Sequence, residues 1–133
     1  MTDPTRGLLD TSVVIDHDVI DPKLLPDESA ISAVTLAELA AGPHATDNRD
    51  ERAKRQDRLQ WAAATWDAIP FDDEGARVYG RMFAAARTAG QSSRSRFADL
   101  LIASTAAANN LPLYTRNPDD FRALKEIVKI IAI

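Results

Sequence analysis

FADLLIASTAAANNLPLYTRNPDDF, Phe97 to Phe121, is the stretch on which the fold turns. It reads as one helix of small and apolar residues followed by one short strand. Asn109 and Asn110 suit a left-handed helix end, and LPLYT is short, apolar and aromatic in the manner of a buried strand. Its oddity is Asp99, an acid set directly before Leu100, Leu101, Ile102 and Ala103. A carboxylate drawn toward a core is costly unless it is paired, hydrogen-bonded or bound to metal.

Working outward, the same helix-and-strand alternation recurs. Downstream, IVKIIAI reads as a closing strand. At the other end, RGLLD finishes a short apolar run at Asp10, and TSVVID carries it into a turn or short helix. DPKLLPDES is a loop punctuated by Pro22 and Pro26, AISAV a second short strand, and TLAELAAGP a helix stopped by Gly42 and Pro43. A long helix is expected from Arg49 to Trp66, with pairs such as Glu51 and Arg55 on its solvated face. DAIPF offers a short extended piece, and Asp72 caps a further helix that runs to about Gly90. Short apolar strands alternating with helices predict an α/β fold with a mostly parallel central sheet flanked by helices on both faces.

The 133 residues, 45% of them hydrophobic, suffice for one domain spanning 1–133 and are too few for two. Absence of cysteine excludes disulfides, thiolate zinc sites, iron–sulfur clusters and thiol nucleophiles. MTDPTRG has no signal-peptide pattern and no apolar run reaches the roughly 20 residues of a membrane span, so a soluble, cytoplasmic protein is expected. With a net charge of -4, any polyanion must be gripped locally. Arg49 to Arg58 mixes acids among its bases, whereas Arg87 to Phe97 carries Arg87, Arg94 and Arg96 without an acid and leads straight to Asp99. Arg94 and Arg96 are the better candidates for phosphate contacts.

In a parallel sheet, ligands bind beyond the carboxyl ends of the strands. Asp10 closes the first strand, Glu38 lies one turn into the helix after AISAV, Asp99 begins its helix, and Asp119 and Asp120 follow LPLYT. Each has a structural reading. Asp10 suits a helix cap or Asx turn, Thr35-x-x-Glu38 has the spacing of a capping box, Asp99 gains from a helix dipole, and acids are routine in a turn with Asn117 and Pro118. Acids from four separate segments at equivalent topological positions are harder to explain as four unrelated caps. If they converge, a cation must offset their repulsion, and an all-oxygen set favours Mg²⁺ or Mn²⁺ over zinc.

LLDTSVVID, ISAVTLAELAAG and ADLLIASTAAANNLPLYTRNPDDF, in this order, resemble the signature blocks of the PIN-domain ribonucleases, and specifically of the VapC toxins of bacterial toxin–antitoxin pairs. The resemblance implies a metal-dependent endoribonuclease that is held inactive by a VapB-type antitoxin and leaves a 5′-phosphate and a 3′-hydroxyl. By position it makes Asp10, Glu38 and Asp99 the Mg²⁺ or Mn²⁺ ligands, and Ser12 and Thr115 hydroxyls lining the pocket. Two residues after Thr115, where many PIN domains have an acid, this chain has Asn117, so Asp120 or Asp119 is expected to supply the missing charge. A homodimer and a toxin–antitoxin hetero-oligomer are implied as well, in keeping with two long amphipathic helices, Arg49 to Trp66 and Asp72 to Ala89, on so small a chain.

A metal-free ribonuclease would need a positioned acid and base, usually histidines. His17, between Asp16 and Asp18, and His44, beyond Gly42 and Pro43, suit surface or loop positions instead. Trp61, Trp66, Tyr79, Met82 and Phe83 fall at helical spacings and read as core or interface. Two other classes compete with the nuclease. One is a PIN-like binding module that has lost cleavage, for which Asn117 speaks. The other is a magnesium-dependent phosphotransfer domain, against which Ser12 stands where a phosphatase needs its second aspartate.

Overall fold

The computed structural model describes residues 3–91 and 96–133. Four strands, β1 (Arg6–Leu9), β2 (Glu28–Ala30), β3 (Leu113–Thr115) and β4 (Ile130–Ala132), form one sheet in the order β2-β1-β3-β4. Every pairing is parallel. The helices are α1 (Thr11–Ile15), α2 (Ala33–Ala41), α3 (Arg49–Thr65), α4 (Asp73–Thr88) and α5 (Phe97–Ala108).

Successive residues of a strand point to opposite faces, so a sheet covered on both sides needs apolar residues at every position. The two central strands obey this rule at Leu8 and Leu9 and at Leu113 and Tyr114, whereas the edge strand β2 carries Glu28 and Ser29. Leu8, Leu113 and Ile130 join Met82 and Ala86 of α4, Ile102 and Ala106 of α5, and Phe121 and Leu124 in one core. Leu9, Tyr114 and Ile131 join Val13 and Val14 of α1, Leu39 of α2 and Ala62 of α3 in the other. The two-faced parallel sheet expected from sequence is therefore present.

Most local signals act as predicted. Asp72 accepts a hydrogen bond from the Gly75 amide at 3.0 Å and caps α4, and Asn110 takes the left-handed conformation (φ 54°) that ends the segment after α5. Arg55 pairs with Glu51 at 3.1 Å and also donates to the Gly42 carbonyl at 2.9 Å, which ties α3 to the end of α2.

Two local expectations change, and a third is met in an unexpected form. AISAV is not a strand over its length: β2 ends at Ala30, because Ser32 caps α2 by accepting from the Thr35 amide at 3.0 Å and so draws Ala33 and Val34 into the helix. α2 does stop at Gly42 and Pro43, but without a left-handed turn. The Gly42 φ of -51° is right-handed, and the chain tightens into a 3-10 turn over Gly42–Ala45 with Pro43 in its first positions, where a missing amide costs nothing. NPDDF is likewise a 3-10 run, Pro118–Leu124, rather than an open turn.

β1 and β3 approach so closely that Gly7 lies against the ring of Tyr114, a buried side chain. A Cβ at Gly7 would overlap that ring and meet Pro26 Cγ at 3.3 Å. Gly7→Ala is expected to destabilise the protein by about 1–3 kcal/mol, the usual cost of overpacking. A thermal melt unchanged from the parent would show that the ring yields freely.

Candidate functional site

The chain leaves β1 toward β2 on one side and later returns to β3 on the other. The crevice beyond the carboxyl ends of β1 and β3 is thus the point where the sheet order reverses, where parallel sheets bind ligands. Asp10 follows β1 directly and Thr115 ends β3. Asp10 is only 5% exposed.

Asp10 occupies the N-cap position of α1, yet its side chain makes no cap hydrogen bond. Its Oδ2 instead accepts from Ser12 Oγ at 2.7 Å and from Thr115 Oγ1 at 2.9 Å. These hydroxyls are themselves fixed from behind. The Arg116 amide donates to Ser12 Oγ at 3.1 Å and the Asn117 amide to Thr115 Oγ1 at 3.0 Å. With backbone N–H groups occupying their acceptor sides, both hydroxyls turn their protons toward Asp10, which suits an ionised carboxylate.

Glu38 is held by a second relay. Thr11 Oγ1 donates to Glu38 Oε1 at 2.7 Å, and lies 3.0 Å from Thr35 Oγ1. Ser32 Oγ lies 3.3 Å behind Thr35 Oγ1. Since Thr11 spends its proton on Glu38, Thr35 donates to Thr11 and Ser32 to Thr35, so one direction of donation runs along the chain. The capping-box reading of Thr35 and Glu38 therefore fails: Ser32 is the cap, and Glu38 is the end of a hydroxyl relay.

Asp99 stands in the first turn of α5. Partial burial pushes its carboxyl up to about 6, helped by the charges of Asp10, Asp120 and Glu38 and opposed by Arg96. Three other acids thus share one field with Asp99. The sequence left Asp119 and Asp120 as equivalents, and the structure separates them. Asp119 is exposed and paired with Arg122, while Asp120 Oδ1 lies 2.7 Å from Arg96 Nη1. The same nitrogen is 3.7 Å from Asp99 Oδ2. Asp120 beside it raises the Arg96 guanidinium above its ordinary value.

Asn117 precedes the 3-10 run with no side-chain cap bond, and contributes its amide to Thr115. Arg96 is turned onto the acids rather than standing free on the surface, and Arg94 lies outside the described residues. His17 is packed against Trp61 and Trp66, with ring centroids 5.0 and 5.9 Å away.

Among the described residues, no three Asp, Glu or His side chains are grouped as a ready-made metal cage. The donor chemistry nevertheless fits a hard divalent cation: carboxylate oxygens only, several of them repelling one another, with Asp10 using Oδ2 for both of its hydrogen bonds. Thr11, Thr35 and Ser32 are the contributors that sequence reasoning did not assign to the site. The spacing Ser32-x-x-Thr35-x-x-Glu38 carried a trace of them, since steps of three and four residues stack on one helix face.

The PIN domain family profile matches residues 7–127. Ribonuclease VapC5 of Mycobacterium tuberculosis (strain ATCC 25618 / H37Rv) is 40% identical over 126 residues, 92% of this chain and 90% of its own. Ribonuclease VapC of Rickettsia bellii (strain RML369-C) is 27% identical over 128 residues, 90% of this chain and 91% of its own. The crystal structure of VapBC-5, a toxin–antitoxin system from Mycobacterium tuberculosis, holds a chain that superposes with a TM-score of 0.85 at 39% identity, covering 98% of this chain and all of that one. The chain belongs to the PIN-domain family and, within it, to the VapC ribonucleases.

The raised Asp99 carboxyl has a consequence for stability. Folded protein binds the Asp99 proton more tightly than the unfolded chain does, so in metal-free solution its contribution falls as pH rises from about 4 to about 6. Asp99→Asn removes that liability. In chelator, the variant is expected to be more stable than the parent at pH 7.5 by on the order of 1–3 kcal/mol, with the gap closing toward pH 4. Parallel pH–stability curves for the two proteins would contradict a raised Asp99.

Proposed function

We propose that this chain is the toxin of a type II toxin–antitoxin pair, an endoribonuclease that hydrolyses RNA phosphodiester bonds with Mg²⁺ or Mn²⁺. The carrying observation is the shared field at Asp99, to which Asp10, Asp120 and Glu38 all contribute. Membership of the VapC ribonucleases supports the substrate class.

Asp10, Asp99 and Glu38 would hold the cation. When bound, a divalent ion activates water as a nucleophile and offsets charge on the non-bridging phosphate oxygens. Ser12 and Thr115 act through Asp10, fixing Oδ2 so that Oδ1 keeps one direction. Thr11 fixes Oε1 of Glu38, which leaves Oε2 as the oxygen that would face the cation. Attack of water on phosphorus would form one P–O bond and break the P–O3′ bond, the water giving up one proton and the departing O3′ taking one from solvent, to leave a 5′-phosphate and a 3′-hydroxyl. Asp120 completes the acid set at its edge, Asn117 adds an uncharged amide there, and Arg94 is kept from sequence alone as a phosphate contact.

A VapB-type antitoxin is the proposed partner, in a hetero-oligomer built on a toxin homodimer. Two observations support it. The VapBC-5 structure is of a toxin–antitoxin system, and this chain exposes Ile15 of α1 and Trp61 of α3 along one cleft. The reading also takes residues 1–133 as one PIN domain working in the cytoplasm. Among the described residues no helix is long and apolar enough to cross a membrane.

The direct test incubates purified chain with a mixed RNA pool and Mn²⁺ or Mg²⁺, beside Asp99→Asn and beside excess chelator. Cutting is expected from the parent alone, with the variant slower by on the order of 10²-fold or more. Intact RNA in every lane, with the antitoxin absent, would favour the binding-module reading.

A further inference from the structure

Arg96 is the one feature of the site that an acid pocket built to attract cations should not need. It sits at the N-cap position of α5, three residues before Asp99, and its Nη1 reaches both Asp120 Oδ1 (2.7 Å) and Asp99 Oδ2 (3.7 Å). The shorter contact is a close ion pair at hydrogen-bonding distance, while the longer one is a looser ion pair. Both partners are partly withdrawn from water: the side chains of Arg96, Asp99 and Asp120 are 32%, 27% and 37% exposed. A pair so placed is less screened by solvent than a surface ion pair.

We propose that Arg96 is a built-in counter-cation that takes Asp120 out of the metal's ligand set and weakens the pocket's hold on a divalent ion. The inference rests on the proposed function, in which the acids bind Mg²⁺ or Mn²⁺. Asp120 then acts as the clamp on Arg96, not as a ligand. Its carboxylate draws the guanidinium away from Asp99, which leaves Asp99 free to ligate. Without Asp120, Arg96 would fall wholly onto Asp99 and compete with the metal. Without Arg96, a fixed positive charge disappears and the Asp120 carboxylate is released into the pocket, so metal should bind more tightly. With both neutral, the net charge of the pair is unchanged. Arg96 and Asp120 are therefore positioning residues, and their charges oppose one another in metal affinity.

The test is a double-mutant cycle on the full chain without antitoxin, reading Mn²⁺ alone through the fall of its free-ion paramagnetic resonance signal. Relative to the parent, Arg96→Gln is expected to bind Mn²⁺ about tenfold more tightly and Asp120→Asn about tenfold more weakly. The double variant should return to within a few-fold of the parent, and Arg96→Lys, which keeps the charge, should stay near it. Thermal melts in chelator confirm that each variant is folded. If the double variant binds as weakly as Asp120→Asn, Asp120 is itself a ligand and the proposal fails. It fails equally if Arg96→Gln leaves the affinity of a metal-binding parent unchanged. A folded parent that takes up no Mn²⁺ overturns the metal reading itself, which is a separate result.

Discussion

The buried carboxylate of Asp10 is the constraint on which the rest of the site depends. It stands where β1 ends, walled by an apolar sheet, and an unpaired charge there would be untenable. Two hydroxyls from different segments answer it: Ser12 from α1 and Thr115 from β3. Thr115 is 105 residues away in sequence, so the bond exists only once β1 and β3 have paired. Backbone amides of Arg116 and Asn117 then fix the hydroxyls. Sheet formation and site formation are therefore one event at this point, and the polar demand of Asp10 helps to specify the β1–β3 register.

Glu38 is supported by the same device in a different place. Its helix is started by Ser32, and the hydroxyls of Ser32, Thr35 and Thr11 lead from that cap to the carboxylate. Side-chain hydroxyls suit this work because each can accept from one neighbour and donate to the next, passing orientation along without adding charge. A lysine or arginine in their place would also satisfy the acids, at the cost of neutralising them toward a cation. Where the fold does use an arginine, at Arg96, it aims the shorter contact at Asp120 and the longer at Asp99.

Much of this was legible in the chain. Continuous apolar character in RGLL and LPLYT pointed to buried strands, and Asp10 at a strand end, Glu38 one turn into its helix and Asp99 at its helix start pointed to one strand-end crevice. Boundaries were less legible. The reach of β2 depended on whether Ser32 or Thr35 capped α2, and both residue types cap helices well, so local preference could not choose. Asp119 and Asp120 were likewise indistinguishable as neighbours in a turn. Their different fates follow from Arg122, three residues from Asp119 along the 3-10 run, and from Arg96, which only the tertiary fold brings to Asp120. Thr11 escaped notice because its partner Glu38 is 27 residues away and nothing in a single threonine advertises it.

The two kinds of support give the site a rigid side and an adjustable side. Asp10 is anchored through Ser12 and Thr115 to the Arg116 and Asn117 amides just after β3, and Glu38 through Thr11, Thr35 and Ser32 to the Thr35 amide of α2. Such an arrangement fixes charge without cancelling it. Asp99 and Asp120 are linked instead through a long, flexible side chain whose contacts are mainly electrostatic. A cation entering beside Asp99 changes the balance of charge on that linkage far more than on the hydroxyl relays, because ion pairs respond to a new charge and neutral hydrogen bonds to a fixed carboxylate hardly do. On the proposed metal reading, Asp10 and Glu38 would keep their geometry when a cation enters, and the adjustment would fall on Arg96 and the acid that clamps it.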